Sequence, residues 1–231
     1  MKFAFIASLP LVLGAACAQA IPLTYGSATH DTTAWQELAD APNGDPFGVS
    51  WSTDNGTTWG RDDLTVGQTV QFKFSVHKQN VGNHYADLLK GWIDWDQNGV
   101  FDVSDEVAYG EHKLTDYEPV LGSWQTPAVP DFAYYSDEYT LTDDHIGDFW
   151  LRAIVTCTHS ITNMYGGLWG DQWTSEYTDN YENLMTPTGH YYQGETEEWK
   201  ITVRAVPEPA SLAILGMGLI GLVARSRSRN K

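Results

Sequence analysis

The stretch Thr69-Val-Gln-Phe-Lys-Phe-Ser-Val76 alternates apolar and polar residues without a break, and this period of two is the strongest constraint on the fold. In an extended strand Val70, Phe72, Phe74 and Val76 fall on one side, whereas a helix would scatter them. Residues 88–95, 149–158 and 198–203 carry related strand signals, built on Trp92 and Ile93, on Trp150, Ile154 and Val155, and on Trp199, Ile201 and Val203. Gly, Asn, Asp and Pro, the residues of turns, lie between them. Away from the two termini, only residues 34–41 read as a helix, and a short one. Many short strands with turn signals predict an all-β fold, an antiparallel β-sandwich of jelly-roll or immunoglobulin-like type. Tyr134-Tyr135 and Tyr191-Tyr192 read as loop or edge positions.

Both ends are sorting devices. Residues 1–20 begin with Lys2, continue with an apolar core over 3–13, and end in Ala18-Gln19-Ala20. This is the pattern of a cleaved secretory signal, with the cut after Ala20. At the other end, Val206-Pro207-Glu208-Pro209 precedes an apolar run over 210–224 and the basic cluster Arg225-Ser-Arg227-Ser-Arg229-Asn-Lys231. As a helix that run reaches about 22 Å, short for a permanent span of about 30 Å of hydrocarbon. The cations behind it would stay cytoplasmic. The order Pro207-Glu208-Pro209, apolar helix, Arg-rich end resembles the PEP-CTERM sorting signal of Gram-negative bacteria. The resemblance implies processing by an exosortase, transient anchoring in the inner membrane by the 210–224 helix, and delivery to the cell surface, the outer envelope or the exterior. The alternative is a tail-anchored protein that keeps its helix, and in both cases the middle of the chain lies outside the cytoplasm.

What remains, residues 21–205, is long enough for one domain. Eight Lys and Arg face 29 Asp and Glu there, a net charge of −21. Nucleic acid is excluded as a partner, because it needs a cationic face. Such a charge suits a soluble surface protein that recruits cations. Cys157 is the one cysteine left after removal of the signal, so no disulfide forms within the domain. The domain must hold together through its core or through metal. Cys157 lies in an apolar stretch and reads as a buried thiol.

The most informative stretch is Asp94-Trp-Asp96-Gln-Asn98-Gly99-Val100-Phe-Asp102-Val-Ser-Asp105-Glu106. Oxygen-bearing side chains occupy positions 1, 3, 5, 9 and 12 of a loop with Gly99 at position 6, the spacing of an EF-hand-type calcium loop. Calcium takes six to eight hard oxygens, and alternate side chains of a tight loop converge on one point. Asp94, Asp96, Asn98 and Asp102 supply side-chain oxygens, the Val100 carbonyl serves at position 7, and Asp105 or Glu106 closes the shell. The flanks read as strands, so the loop joins β elements, and the metal's role is structural. The alternative is an acidic turn without metal.

Trp92-Ile-Asp94-Trp-Asp96-Gln-Asn98-Gly-Val-Phe101-Asp102, followed by Asp105-Glu106, resembles the GEVED domain of bacterial secreted and surface proteins. Asp96 and Asn98 exchange the family's Asn and Asp and so keep the oxygens in place. Leu151-Arg152 matches the family's Leu-Arg strand. The closing motif is Gly194-Glu195-Thr196-Glu197-Glu198-Trp199, with threonine for valine, Glu for Asp and Trp for Tyr. The resemblance is clearest over 70–203, and it implies a β-sandwich module, usually accessory, without catalysis.

Other patterns are weaker. Ser52-Thr-Asp54-Asn-Gly56-Thr-Thr-Trp59 fits a single Asp-box, which predicts a hairpin in which Asp54 binds backbone amides, Gly56 takes a positive φ and Trp59 packs beneath. No Ser-His-Asp order, zinc helix or phosphate loop stands out, and none of the seven histidines forms a tight ligand pair. Tyr165, Trp169, Trp173 and Tyr177 lie in a Gly-rich stretch and are the candidate glycan-stacking aromatics. The reading is a non-enzymatic surface or extracellular-matrix protein, a calcium-stabilised sandwich for adhesion or exopolysaccharide and biofilm association. A carbohydrate-binding module is the alternative, and a glycoside hydrolase with paired carboxylates ranks below it.

Overall fold

The alternating segment becomes the centre of a sheet. A computed structural model describes residues 20–32, 36–38, 48–78, 85–113, 132–164, 176 and 178–207. Strand β5 (Thr69–Lys78) is flanked on one edge by β2 (Gln36–Leu38) and β3 (Val49–Ser52). On its other edge lie β8 (Phe132–Tyr135) and β9 (Tyr139–Thr140). All four pair antiparallel to it. The face of Val70, Phe72, Phe74 and Val76 is fully buried, as its period requires.

The second sheet runs in the order β4 (Leu64–Thr65), β12 (Glu195–Arg204), β10 (Gly147–Cys157), β6 (Ala86–Ile93), β7 (Glu106–Lys113). Its inner face supplies Leu64, Leu89, Ile93, Leu151, Ala153, Val155, Ile201 and Val203 to a core shared with the β5 sheet. Close approach of the two sheets explains Gly91, where a Cβ would sit 2.6 Å from the Phe74 ring. A bulge follows between Gly91 and Trp92.

All eight residues of β6 are buried, because this sheet is covered on both faces. Its outer side carries Leu88, Trp92 and Ile154, which form a second core with Tyr25, Phe101, Ile161, Tyr181, Met185 and Tyr191. The covering layer is α1 (Thr158–Met164), α2 (Tyr181–Leu184) and a ribbon of β1 (Ala28–Thr32) paired in parallel with β11 (Gly189–Gln193).

Three expectations need correction. The sheets are mixed rather than purely antiparallel, since β1 with β11 and β12 with β4 pair in parallel. Within the expected 34–41 helix, residues 36–38 form β2, whose pairing with β5 overrides the local propensity. Tyr134-Tyr135 and Tyr191-Tyr192 lie in β8 and β11, each an edge strand paired with one neighbour, so of the two expected settings the edge holds and the loop does not, and Tyr191 is fully buried in the second core. Cys157 is buried at the end of β10. The single Asp-box folds as its residues require. Asp54 accepts the Thr58 amide at 2.8 Å, Gly56 has φ +76°, and the Trp59 indole donates to the Gly56 carbonyl at 3.1 Å. Hydrogen bonds from Thr58 and Ser52 hold the Asp54 carboxyl down at about 2.

Candidate metal centre

The acidic loop leaves the sheet at the end of β6, where Asp94 directly follows Ile93, and returns to it as β7. Asp94 is fully buried. Its Oδ1 accepts the Asn98 amide at 3.1 Å, and its Oδ2 accepts the Gly99 amide at 3.0 Å. Gly99 has φ +85°, a left-handed conformation that lets the chain reverse around this carboxylate. The exposed Asp96 accepts the Asn98 amide on Oδ1 and the Asn98 side-chain amide on Oδ2, both at 3.1 Å. Asp105 closes a short 3-10 turn, Val103–Asp105, that Asp102 caps. Asp105 Oδ2 accepts the Asp102 amide at 2.8 Å, while Asp102 Oδ1 accepts the Ser104 amide at 2.7 Å.

These turns bring one carboxylate oxygen each from Asp94, Asp96 and Asp105 within 4.8 Å of one another. Oxygens no farther apart than two calcium–oxygen bonds of about 2.4 Å can share one ion. Burial, joined by the charges of Asp102, Asp94 and Asp96, pushes the Asp105 carboxyl up to about 6. Like charges are gathered here without a cation among their described partners, and a divalent ion would relieve that cost. The all-oxygen donor set selects a hard cation over zinc.

Of the remaining acids of the expected set, neither Asp102 nor Glu106 belongs to this group. Asn98 Oδ1 accepts the Val100 amide at 2.9 Å, Val100 is 44 % exposed, and Asp102 serves chiefly as a cap. The Glu106 carboxylate pairs with Lys90 at 2.6 Å, so Asp105 is the acid that joins Asp94 and Asp96.

A residue that sequence reasoning missed completes the centre. Tyr25, 69 positions upstream, donates its hydroxyl to Asp94 Oδ2 at 2.5 Å in a buried contact. Burial and this bond raise its phenol far above the usual range. Tyr25 packs on Phe101 of the loop with ring centroids 4.8 Å apart. Phe101 lies under the guanidinium of the fully buried Arg152, at 5.0 Å. Arg152 donates to the carbonyls of Tyr25, Gly26 and Pro187 at 3.0, 2.9 and 2.7 Å and pairs with Glu198. The acidic loop, the Leu-Arg strand and the closing motif thus meet around one N-terminal tyrosine. Tyr25 carries no local signal, because its partners are far away in sequence.

In the closing motif, Glu195 on the other side of β12 accepts the Leu38 amide at 2.7 Å and fixes β2. Gly194 has φ +109°, and a Cβ there would lie 1.9 Å from the Val155 carbonyl oxygen. Tyr165, Trp169, Trp173 and Tyr177, the 1–19 part of the signal, Glu208, Pro209 and the 210–224 run lie outside the described residues, while Pro207 is the last described position. Among the described residues no helix is long and apolar enough to cross a membrane.

Residues 88–202 match the GEVED domain, and residues 205–228 match the PEP-CTERM protein-sorting motif. No curated protein matches the chain. Among solved structures, the CARDB domain of a Pyrococcus furiosus protein, crystallised with di-metal ions, is similar at 11 % identity and a TM-score of 0.33, over 68 % of this chain and 92 % of that one. The C-terminal domain of Wzt is similar at 12 % identity and a TM-score of 0.31, over 70 % and 72 %.

Proposed function

From a chain that carries a GEVED domain followed by a PEP-CTERM sorting motif, we infer a non-enzymatic surface or matrix protein whose β-domain is stabilised by one calcium ion. The sorting motif implies export and exosortase processing. The observation that carries the calcium reading is the convergence of Asp94, Asp96 and Asp105 in an exported domain with no disulfide. Asp94 Oδ1 and Asp105 Oδ2 each accept one backbone amide and keep a second lone pair for the ion, while Asp94 Oδ2 is taken up by the Gly99 amide and the Tyr25 hydroxyl. The ion would supply positive charge and a fixed geometry at the point where β6 turns towards β7. It does no chemistry there, and adhesion or exopolysaccharide association is the work of the surface that it stiffens.

Calcium titration of metal-stripped protein by calorimetry tests this. One ion per chain is expected, at about 10⁻⁴–10⁻³ M, the range of extracellular modules. No binding up to 10 mM would remove the metal from the reading.

A second reading, carbohydrate binding, has one observation in its favour. Trp59 and the 53 % exposed Tyr135 lie 5.6 Å apart with the Lys73 ammonium 4.9 Å above Trp59, an aromatic and cationic surface on the outer side of β5. Glycan-array binding lost in Tyr135→Ala would support it.

A further inference from the structure

The family match begins at residue 88, yet the metal centre is built in part by residues 21–32, a strap that crosses the outer face of the second sheet and continues as β1. Three contacts tie the strap to the acidic loop. The Tyr25 hydroxyl donates to Asp94, the Tyr25 ring packs on Phe101, and Thr24 lies against Gly99, where an added Cβ would stand 3.5 Å from the Thr24 hydroxyl. The strap forms one 3-10 turn, Leu23–Tyr25, closed by the Tyr25 and Gly26 amides on Pro22 and Leu23, with Leu23 97 % exposed. Beyond that, it is held by the backbone bonds to Arg152, by the parallel pairing with β11, and by His30, which bonds to Gln193 and Thr196 and stacks on Tyr191.

Resting on the calcium reading above, we propose that calcium binding and docking of the N-terminal strap are one coupled event, and that Tyr25 is the positioning residue that joins them. Asp94 is the hub. Its Oδ2 is held by two donors, Gly99 from the loop and Tyr25 from the strap, and together they fix the plane in which the carboxylate meets a metal. An outer donor that orients a ligand changes metal affinity by about 10–100-fold when removed. Linkage makes the effect reciprocal: whatever factor docking adds to calcium affinity, calcium adds to docking. The ion thus controls whether the chain just behind the signal cut is laid down on the domain. The functional unit then starts at residue 21 rather than at the start of the family match.

The experiment uses the full chain, purified from the envelope of an expressing host and stripped of metal. Amide hydrogen exchange is followed with and without 10 mM calcium, and calcium affinity is measured in parallel by calorimetry. Wild type is compared with Tyr25→Phe, which keeps the ring on Phe101 and the backbone bonds to Arg152, and with Asp96→Asn, which touches no strap residue. In wild type, calcium should slow exchange at Asn98 and Gly99 in the loop and at Tyr25 and Gly26 in the strap, by tenfold or more. Tyr25→Phe should bind calcium about tenfold more weakly. When saturated it should protect the loop with less than a twofold change in the strap. Asp96→Asn should need about tenfold more calcium for both responses, and the two should shift together. Protection of the loop without the strap, together with unchanged affinity in Tyr25→Phe, would overturn the coupling and leave the metal site standing. Absence of any calcium response in wild type would overturn the metal reading and the coupling with it.

Discussion

Replacing Asp96 with Asn separates a calcium site from an acidic turn by the sign of its effect. Asp96 is the exposed member of the three-carboxylate group, and it accepts the Asn98 amide on Oδ1. Asparagine keeps that oxygen and removes one negative charge, at the cost of the exposed bond from the Asn98 side-chain amide to Oδ2, which water can replace. Without calcium the variant should therefore melt at or above the temperature of wild type, because Asp94 and Asp105 lose a like-charged neighbour. With calcium the order should reverse. At a dissociation constant of about 10⁻⁴ M, 10 mM calcium adds about 2.7 kcal/mol to the wild type. A variant that binds tenfold more weakly gains about 1.4 kcal/mol. For a domain of this size that corresponds to a rise of about 5–11 °C in wild type and about 3–6 °C in the variant. Differential scanning calorimetry in chelator and in 10 mM calcium reads both. A variant that melts below wild type in chelator, or that rises in parallel with it, would show that the carboxylates hold the loop through their hydrogen bonds alone.

Three further changes test the scaffold. Arg152→Met leaves three carbonyls and Glu198 without their buried donor, so a loss of about 3–5 kcal/mol in urea unfolding is expected, and a loss under 1 kcal/mol would show that the cluster repacks. Gly194→Ala drives a Cβ into the Val155 carbonyl at a positive φ and should cost about 3 kcal/mol or more; wild-type stability would mean that this corner shifts freely. His30 donates from Nδ1 to the Gln193 carbonyl, and its Nε2 meets the Thr196 hydroxyl at 2.8 Å. Burial, with His190 nearby, holds its pKa below the usual 6.5 against the raising effect of Gln193. The folded chain resists a proton that the unfolded chain accepts, so this contribution is complete above pH 6.5 and is lost as pH falls through that value. Urea midpoints at pH 8 and 5.5 should converge in His30→Asn relative to wild type, and an unchanged gap would assign the acid loss to other groups.

Alternation made the central strands legible because each is long and has one wholly apolar side. The 69–76 pattern became β5 over Thr69–Lys78, and the strand expected at 149–158 became β10 over Gly147–Cys157. The two-residue strands β4 and β9 are too short to show a period, and their existence depends on neighbours across the sheet. Alternation also names faces and not partners. Nothing in Ala28–Thr32 announces a parallel pairing with Gly189–Gln193, some 160 residues away.

The acidic loop was legible for a different reason, because its ligand spacing is local: oxygen-bearing side chains at positions 1, 3, 5, 9 and 12 around a glycine at 6 can be read without knowing the fold. What could not be read is how each carboxylate is spent. Asp105 and Glu106 are adjacent in sequence and equivalent as calcium ligands. Asp105 ends the 3-10 turn and faces Asp94, whereas Glu106 opens β7 and reaches Lys90 on the neighbouring β6. Two-sided burial of the same sheet turns an apparent exception into the key of the site. β10 shows apolar residues on both faces with a single arginine among them, and a lone buried Arg must satisfy its donors on several partners. Arg152 finds them in the strap, in the Pro187 turn and in the closing motif, so the buried arginine of β10 joins the parts of the chain that sequence alone left separate.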